Sequence, residues 1–265
     1  MKLLTYYPTD SPLHRLNPVV KLVVTVGLVI LVTFAYDVAT PLIFLTLLIV
    51  LLWLAGRLPL RWIAGSLLPF IALATGLFIS SALFHRTLSS ETELFHIGSL
   101  IVSREGVAGG LAVGLRVLFL AASSLLVIGT TEPTTLVVSL VLQGKVNYRL
   151  AYATLVGYRF VPLLLGEYRS IRAAARIRGQ RGGVRGLLRD ALPLLAGAVR
   201  RAGRVALAMD SKAFAAYPTR TFLHPTTMRR ADWLFLALML GGSVALFVTL
   251  VALGITQGLG GQFAG

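Results

Sequence analysis

Residues 106–129 read GVAGGLAVGLRVLFLAASSLLVIG, a stretch with no acid and a single base, Arg116. At about 1.5 Å per residue a helix of this length crosses a hydrocarbon layer of about 30 Å. Four further apolar runs flank it: 19–36 (VVKLVVTVGLVILVTFAY), 40–55, 62–84 and 233–255. Asp37 marks a minimal turn between the first two runs, and Gly56, Arg57 and Pro59 close the second. A charge near mid-bilayer costs about 2.5–3.5 kcal/mol on insertion scales, so Arg116 is expected to avoid lipid. Of its two readings, a charge on a substrate path or a residue near enough to an interface to snorkel or pair, the second is preferred.

Composition agrees with these runs. Of 265 residues, 56% are hydrophobic and only 13% charged, against a usual quarter, so there is too little polar surface to clothe a soluble globule. The fold class expected is all-α, a polytopic membrane protein with about five transmembrane helices and a cytoplasmic domain of long amphipathic helices. Cysteine is absent, which excludes a disulfide framework and a thiolate nucleophile. His14, His85, His96 and His224 are scattered without ligand-like spacing, and no metal site is expected. Residues 1–18 carry Asp10, His14, Arg15, Asn17 and three prolines, which does not read as a cleavable signal peptide. The first span is expected to serve as its own targeting signal.

Orientation follows from where the bases lie, because Lys and Arg are retained on the cytoplasmic side. The amino-terminal stretch has Lys2, Arg15 and Lys21, the turn after the second run has Arg57 and Arg61, and residues 144–230 hold seventeen bases. The loops at Asp37 and at 85–105 are neutral or slightly acidic. Five spans with the amino terminus in the cytoplasm satisfy every loop, in a multi-pass protein of the cell membrane.

Against seventeen bases, residues 144–230 contain three acids, Glu167, Asp190 and Asp210, so this third of the chain carries +14 of the formal +15. Arg169, Arg172 and Arg176 recur at spacings of three and four, as do Arg185 with Arg189 and Arg200 or Arg201 with Arg204. Leucine, isoleucine and alanine fill the positions between, which is the pattern of amphipathic helix. Gly179, Gly182 and Gly183 divide it into two helices, and Pro218 ends the second region. Each helix finishes on a base beside a small residue, Arg178 with Gly179 and Lys212 with Ala213. A small residue there permits close approach of another backbone, which favours docking to a protein groove over mere contact with anionic lipid.

Catalysis has little support in the sequence. The glycine-rich stretch 180–186 lacks the Gly-Lys-Ser/Thr end of a phosphate loop, so the chain is expected not to hydrolyse nucleotide and to need no cofactor. Glu91 and Glu93 lie in a loop, and Glu167 and Asp210 sit in arginine-rich helices where a structural ion pair is the better reading.

Several motifs resemble the T component (transmembrane coupling subunit) of energy-coupling-factor transporters, a branch of the ABC transporters, over nearly the whole chain. Ser11-Pro-Leu-His-Arg-Leu-Asn-Pro18 with Lys21 looks like the amino-terminal lead-in of that family. Thr130-Thr-Glu-Pro133 resembles the polar break after its fourth span, and Arg159-Phe-Val-Pro162 the start of its coupling region. Ala173-Ala-Ala-Arg-Ile-Arg-Gly179 is similar to the first of two Ala-Arg-Gly signatures, with Ile177 in place of alanine. In Ala208-Met-Asp-Ser-Lys-Ala-Phe214, Ser211, Lys212 and Ala213 stand where the second Ala-Arg-Gly is expected, which keeps the charge and loses the planar fork.

The resemblance implies two cytoplasmic ATPase subunits docked on Arg176, Arg178, Gly179, Asp210, Lys212 and Ala213. It further implies a separate substrate-binding S component in the membrane, and uptake of a vitamin or metal ion driven by ATP. Residues 1–129 are then a four-span membrane domain, 130–230 a basic cytoplasmic coupling domain, and 231–265 the last span and tail. Residues 134–142 read as a short interfacial helix. The rival is a membrane-anchored nucleic-acid or ribosome binder. Against it, the basic region has few aromatics placed to stack on bases and its arginines keep amphipathic periodicity, so no nucleic-acid partner is expected. A stand-alone channel or carrier would want more polar residues within the spans.

With no native cysteine to interfere, the orientation is directly testable. A cysteine placed at Gln180 should be protected from a membrane-impermeant thiol reagent in intact cells, and one at Thr92 should be labelled. Labelling at position 180 would reverse the topology.

Overall fold

The computed structural model describes residues 6–35, 37–84, 93–97, 100–180, 183–214, 216–217, 221–222 and 225–255. Eight helices account for nearly all of them: α1 (Pro18–Thr33), α2 (Ala39–Leu54), α3 (Leu60–Phe84), α4 (Arg104–Thr130), α5 (Pro133–Leu142), α6 (Tyr148–Ile177), α7 (Val184–Ser211) and α8 (Arg230–Ala252). The all-α, polytopic expectation holds. One small departure lies between α3 and α4, where β1 (Glu93–Ile97) and β2 (Leu100–Ser103) pair antiparallel, Ile97 opposite Leu100. Short strands inside a polar connection leave no periodicity long enough to read.

Starts and stops have local causes. The Asn17 side chain accepts from the Val19 amide and Pro18 occupies the first position of α1, the arrangement that suits a helix amino terminus. Asp37 does the same for α2, accepting from both the amide and the hydroxyl of Thr40 at 2.7 and 2.8 Å. Three helices are long and apolar enough to span a bilayer, α3, α4 and α8, whereas α1 and α2 are apolar but only 16 residues each, about 24 Å.

The chain divides into two compact units, residues 1–136 with 226–265, and residues 137–225. In the first, α4 packs on α1, α2 and α3, and α8 packs on α1. Val20, Val24, Leu28 and Val32 of α1 turn inward, meeting a core that includes Phe44, Leu48 and Leu52 of α2 and Phe119, Leu125 and Leu126 of α4. The opposite face of α1 is also apolar, with Val23, Val26 and Ile30 about half exposed, and α8 buries only 11% of its most apolar window. Helices that are apolar all round and so little covered by protein match a lipid surround. Where α3 and α4 cross, side chains give way: a Cβ on Gly110 would lie 2.8 Å from the Phe78 carbonyl oxygen, and one on Gly114 3.3 Å from that of Ala74. This is the small-xxx-small contact of membrane helices, which trades side-chain bulk for backbone proximity.

Arg116 donates to the carbonyl of Ala35, just beyond the carboxyl end of α1. The guanidinium, midway along α4, therefore meets a backbone carbonyl of the protein rather than lipid, as expected from sequence.

At the other end of α1 the polar motifs converge. Lys21 is fully buried, and its ammonium donates to the Thr130 carbonyl (2.9 Å), the Thr130 hydroxyl (3.2 Å) and the Thr131 hydroxyl (3.3 Å). Buried Asp232 accepts from the amides of Asn17 (2.8 Å) and Arg229 (2.7 Å), joining the starts of α1 and α8. The Tyr7 amide donates to Gly129, and that of Leu13 to Ala55 at the end of α2. His14 lies between Ser11 Oγ (2.6 Å) and the Tyr7 carbonyl (2.9 Å), so Nε2 donates to the carbonyl and Nδ1 accepts from the serine. Burial holds the His14 ring below the ordinary imidazole pKa, with the Tyr7 carbonyl opposing and the Lys21 charge adding to the effect.

Lys21→Met keeps much of the volume and removes the donor, stranding the threonine oxygens. It should lower stability by about 1.5–3 kcal/mol, read as an earlier thermal midpoint of the detergent-purified chain, and full stability in the variant would show that the ammonium is dispensable.

Candidate functional site

The basic part of the chain is built on α6 and α7. Arg172 approaches Asp190 (3.7 Å), Arg201 approaches Glu167 (3.4 Å), the Tyr152 ring packs on Phe214 (5.0 Å), and the Tyr148 hydroxyl donates to the Tyr217 carbonyl (2.8 Å). Partners that rise in one helix as they fall in the other define an antiparallel pair. The Glu167 ion pair expected from sequence is present. The one expected for Asp210 is not, because Asp210 lies on the exposed side of the last turn of α7 and makes no ion pair among the described residues.

Both helices end by the same device. Arg178 caps α6, with the Gly179 amide donating to Arg176 (2.9 Å) and the Gln180 amide to Ala175 (3.0 Å). Lys212 caps α7, with the Ala213 amide donating to Asp210 (2.9 Å) and that of Phe214 to Met209 (3.0 Å). These crossed pairs are Schellman motifs, and each requires the residue after the cap to be left-handed. Gly179 has φ 67° and Ala213 φ 52°. Glycine at 179 is thus fixed first by backbone conformation, a reason beyond the close approach expected from sequence, whereas Ala213 adopts the same conformation at a cost. The signal was available, since glycine just past a helix end is the commonest carboxyl-terminal cap. Space remains open as well: a Cβ on Gly179 would meet nothing within 4 Å.

Arg176, Arg178, Gly179, Asp210, Lys212 and Ala213 are all exposed. The structure does not bring the two trios together. In an antiparallel pair the carboxyl ends of the helices lie at opposite poles, and the 28 residues of α7 separate them by about 40 Å. At each pole the negative end of a helix dipole faces outward with a cation on it, Arg176 and Arg178 at one and Lys212 at the other. Their surroundings differ. Lys212 borders a cavity of about 400 Å³ framed by Tyr152, Met209, Phe214 and Tyr217, whereas Arg178 stands beside Ile177, which is 88% exposed.

The described residues thus comprise an apolar helical bundle and a basic helical hairpin. The family model described as cobalt transport protein matches residues 9–222. Relatives named energy-coupling factor transporter transmembrane protein match over most of the length. That of Acidaminococcus fermentans is 31% identical, covering 94% of each chain. That of Heliobacterium modesticaldum is 29% identical over 86% of this chain and 89% of its own, and that of Limosilactobacillus fermentum is 28% identical over 94% and 97%. The chain belongs to this family, as the transmembrane T component of an energy-coupling-factor transporter.

Ala213 holds a left-handed conformation that costs a non-glycine residue about 1–2 kcal/mol, part of which glycine gives back through its more flexible unfolded chain. Ala213→Gly should therefore stabilise the end of α7 by about 0.5–1 kcal/mol, and Gly179→Ala should destabilise that of α6 by about 1 kcal/mol. Hydrogen exchange at the Phe214 and Gln180 amides would read both effects, expected in opposite directions.

Proposed function

We propose that this chain couples two cytoplasmic ATPase subunits to a substrate-binding S component in the membrane, so that ATP-driven closure of the ATPases moves α6 and α7 and drives uptake of a vitamin or metal ion. The observation that supports this reading is the pair of exposed cationic helix ends at opposite poles of one antiparallel pair. Two ends about 40 Å apart suit two separate carboxylate-lined grooves, one on each ATPase. Between the poles α7 exposes an apolar stripe, Leu188, Leu192, Leu195 and Val199, each more than 60% accessible. At spacings of four, three and four these residues share one helix face, which suits the S component. The residues assigned to ATPase docking are Arg176, Arg178 and Gly179 at one pole and Asp210, Lys212 and Ala213 at the other.

The poles are chemically unequal. Arg178 offers a planar fork for bidentate pairing, and Lys212 a single ammonium. Removing one partner of a desolvated charge pair costs about 2–5 kcal/mol, and losing a partly solvated lysine contact about 1 kcal/mol or less. Arg178→Ala should then release an ATPase subunit from the immobilised chain or abolish ATP-driven uptake. Lys212→Ala should be milder, and Lys212→Arg neutral or slightly tighter. Full assembly and full uptake with Arg178→Ala would refute the docking role of that pole.

A further inference from the structure

Where α2 ends and α8 begins, a cleft of about 580 Å³ opens between these helices and the lead-in to α1. Its lining changes character with depth. Arg15, Arg57 and Arg229 lie just outside the apolar helices, whereas Leu51, Phe235 and Leu238 lie within them. Leu238 is eight residues past Arg230, about 12 Å deeper along α8.

The charges at the shallow end do not cancel. Asp10 pairs with Arg15 through two bonds of 3.0 and 2.8 Å, and Arg57 donates to the Asp10 carbonyl (3.3 Å). The other acid in the lining, Asp232, is buried with both oxygens already engaged by the Asn17 and Arg229 amides. Three guanidinium groups thus face two carboxylates, which leaves a net positive charge at the shallow end. One of them, Arg57, is held at φ 51°, a left-handed conformation that arginine adopts only at a cost. Arg57 lies in the turn that closes α2, where the Gly56 amide donates to Leu51 and that of Leu58 to Leu52, so its side chain leaves the chain at a fixed point beside the cleft.

We propose that this cleft binds one anionic phospholipid, with its phosphate on Arg57 and Arg229 and an acyl chain along Leu51, Phe235 and Leu238. Guanidinium groups match phosphate oxygens in bidentate geometry, and a choline headgroup would bring a cation against three others. The apolar depth of the cleft distinguishes a lipid from a free anion, because only a lipid fills both parts. The lipid docks beside the joined starts of α1 and α8 and braces that junction. The site is independent of which subunits the chain couples.

Native mass spectrometry of the purified full chain tests this with phosphatidylglycerol, phosphatidylcholine of the same acyl chains, and inorganic phosphate as probes. One phosphatidylglycerol per chain should be retained in preference to phosphatidylcholine. The double substitution Arg57→Gln with Arg229→Gln should weaken it by about tenfold or more. Leu238→Trp, which fills the deep part and changes no charge, should also weaken it, and it decides the matter if the double variant does not fold. Equal retention of the two lipids, or retention unchanged in the folded variants, overturns the proposal. So does displacement of phosphatidylglycerol by millimolar phosphate, which would mark an anion site with no lipid arm.

Discussion

The membrane unit turns on the buried ammonium of Lys21. An ion removed from water is tolerable only when its donors are all satisfied, and here each N–H of the ammonium meets an oxygen of Thr130 or Thr131. That requirement fixes the end of α4 against the start of α1. Asp232 then ties the start of α8 to the same place through the Asn17 amide, and the segment before α1 is stitched to Gly129 and Ala55. Segments that are remote in sequence are thereby held in one register. A neutral side chain at position 21 would leave the apolar contacts of α1 in place and remove the reason for that register.

The two cations inside apolar helices, Lys21 and Arg116, are accommodated by the same chemistry at opposite ends of α1. Each reaches oxygen at a helix terminus, Lys21 at the end of α4 and Arg116 just past the end of α1. In both cases the cation meets oxygen of the protein rather than lipid. Between these polar ends the packing is apolar and close, most of all where Gly110 and Gly114 let α4 approach the backbone of α3.

Much of the fold is legible in the sequence because lipid imposes a simple rule: long apolar runs form the membrane helices, and amphipathic periodicity gives α6 and α7. The ends of those two helices are legible as well, at Arg178 and Lys212, from the glycines and the break in periodicity. Convergence is harder to read. Ser11–Pro18, Lys21 and Thr130–Pro133 stand out as motifs, yet a linear pattern does not reveal that they meet, since contacts over a hundred residues apart leave no local periodicity. The spacing of Gly110 and Gly114 and the left-handed cap at Gly179 are readable signals that a reading centred on charge passes over. Asp210 shows the opposite failure: an acid among arginines looks paired, but it stands exposed in the last turn of α7 with no base three or four residues away.

The separation of Lys21 from its partners has a consequence for biogenesis. Thr130 is synthesised 109 residues after Lys21, and Asp232 follows Asn17 by 215. At about 5–20 residues per second, the lysine waits about 5–20 s before its oxygens exist, and the start of α1 waits longer still for α8. During that interval the first span must remain near the aqueous boundary or in the care of the insertion machinery, since its ammonium has no protein partner. The final locking of the bundle therefore belongs to the end of synthesis, and a chain truncated before α8 would leave the Asn17 amide without its Asp232 acceptor.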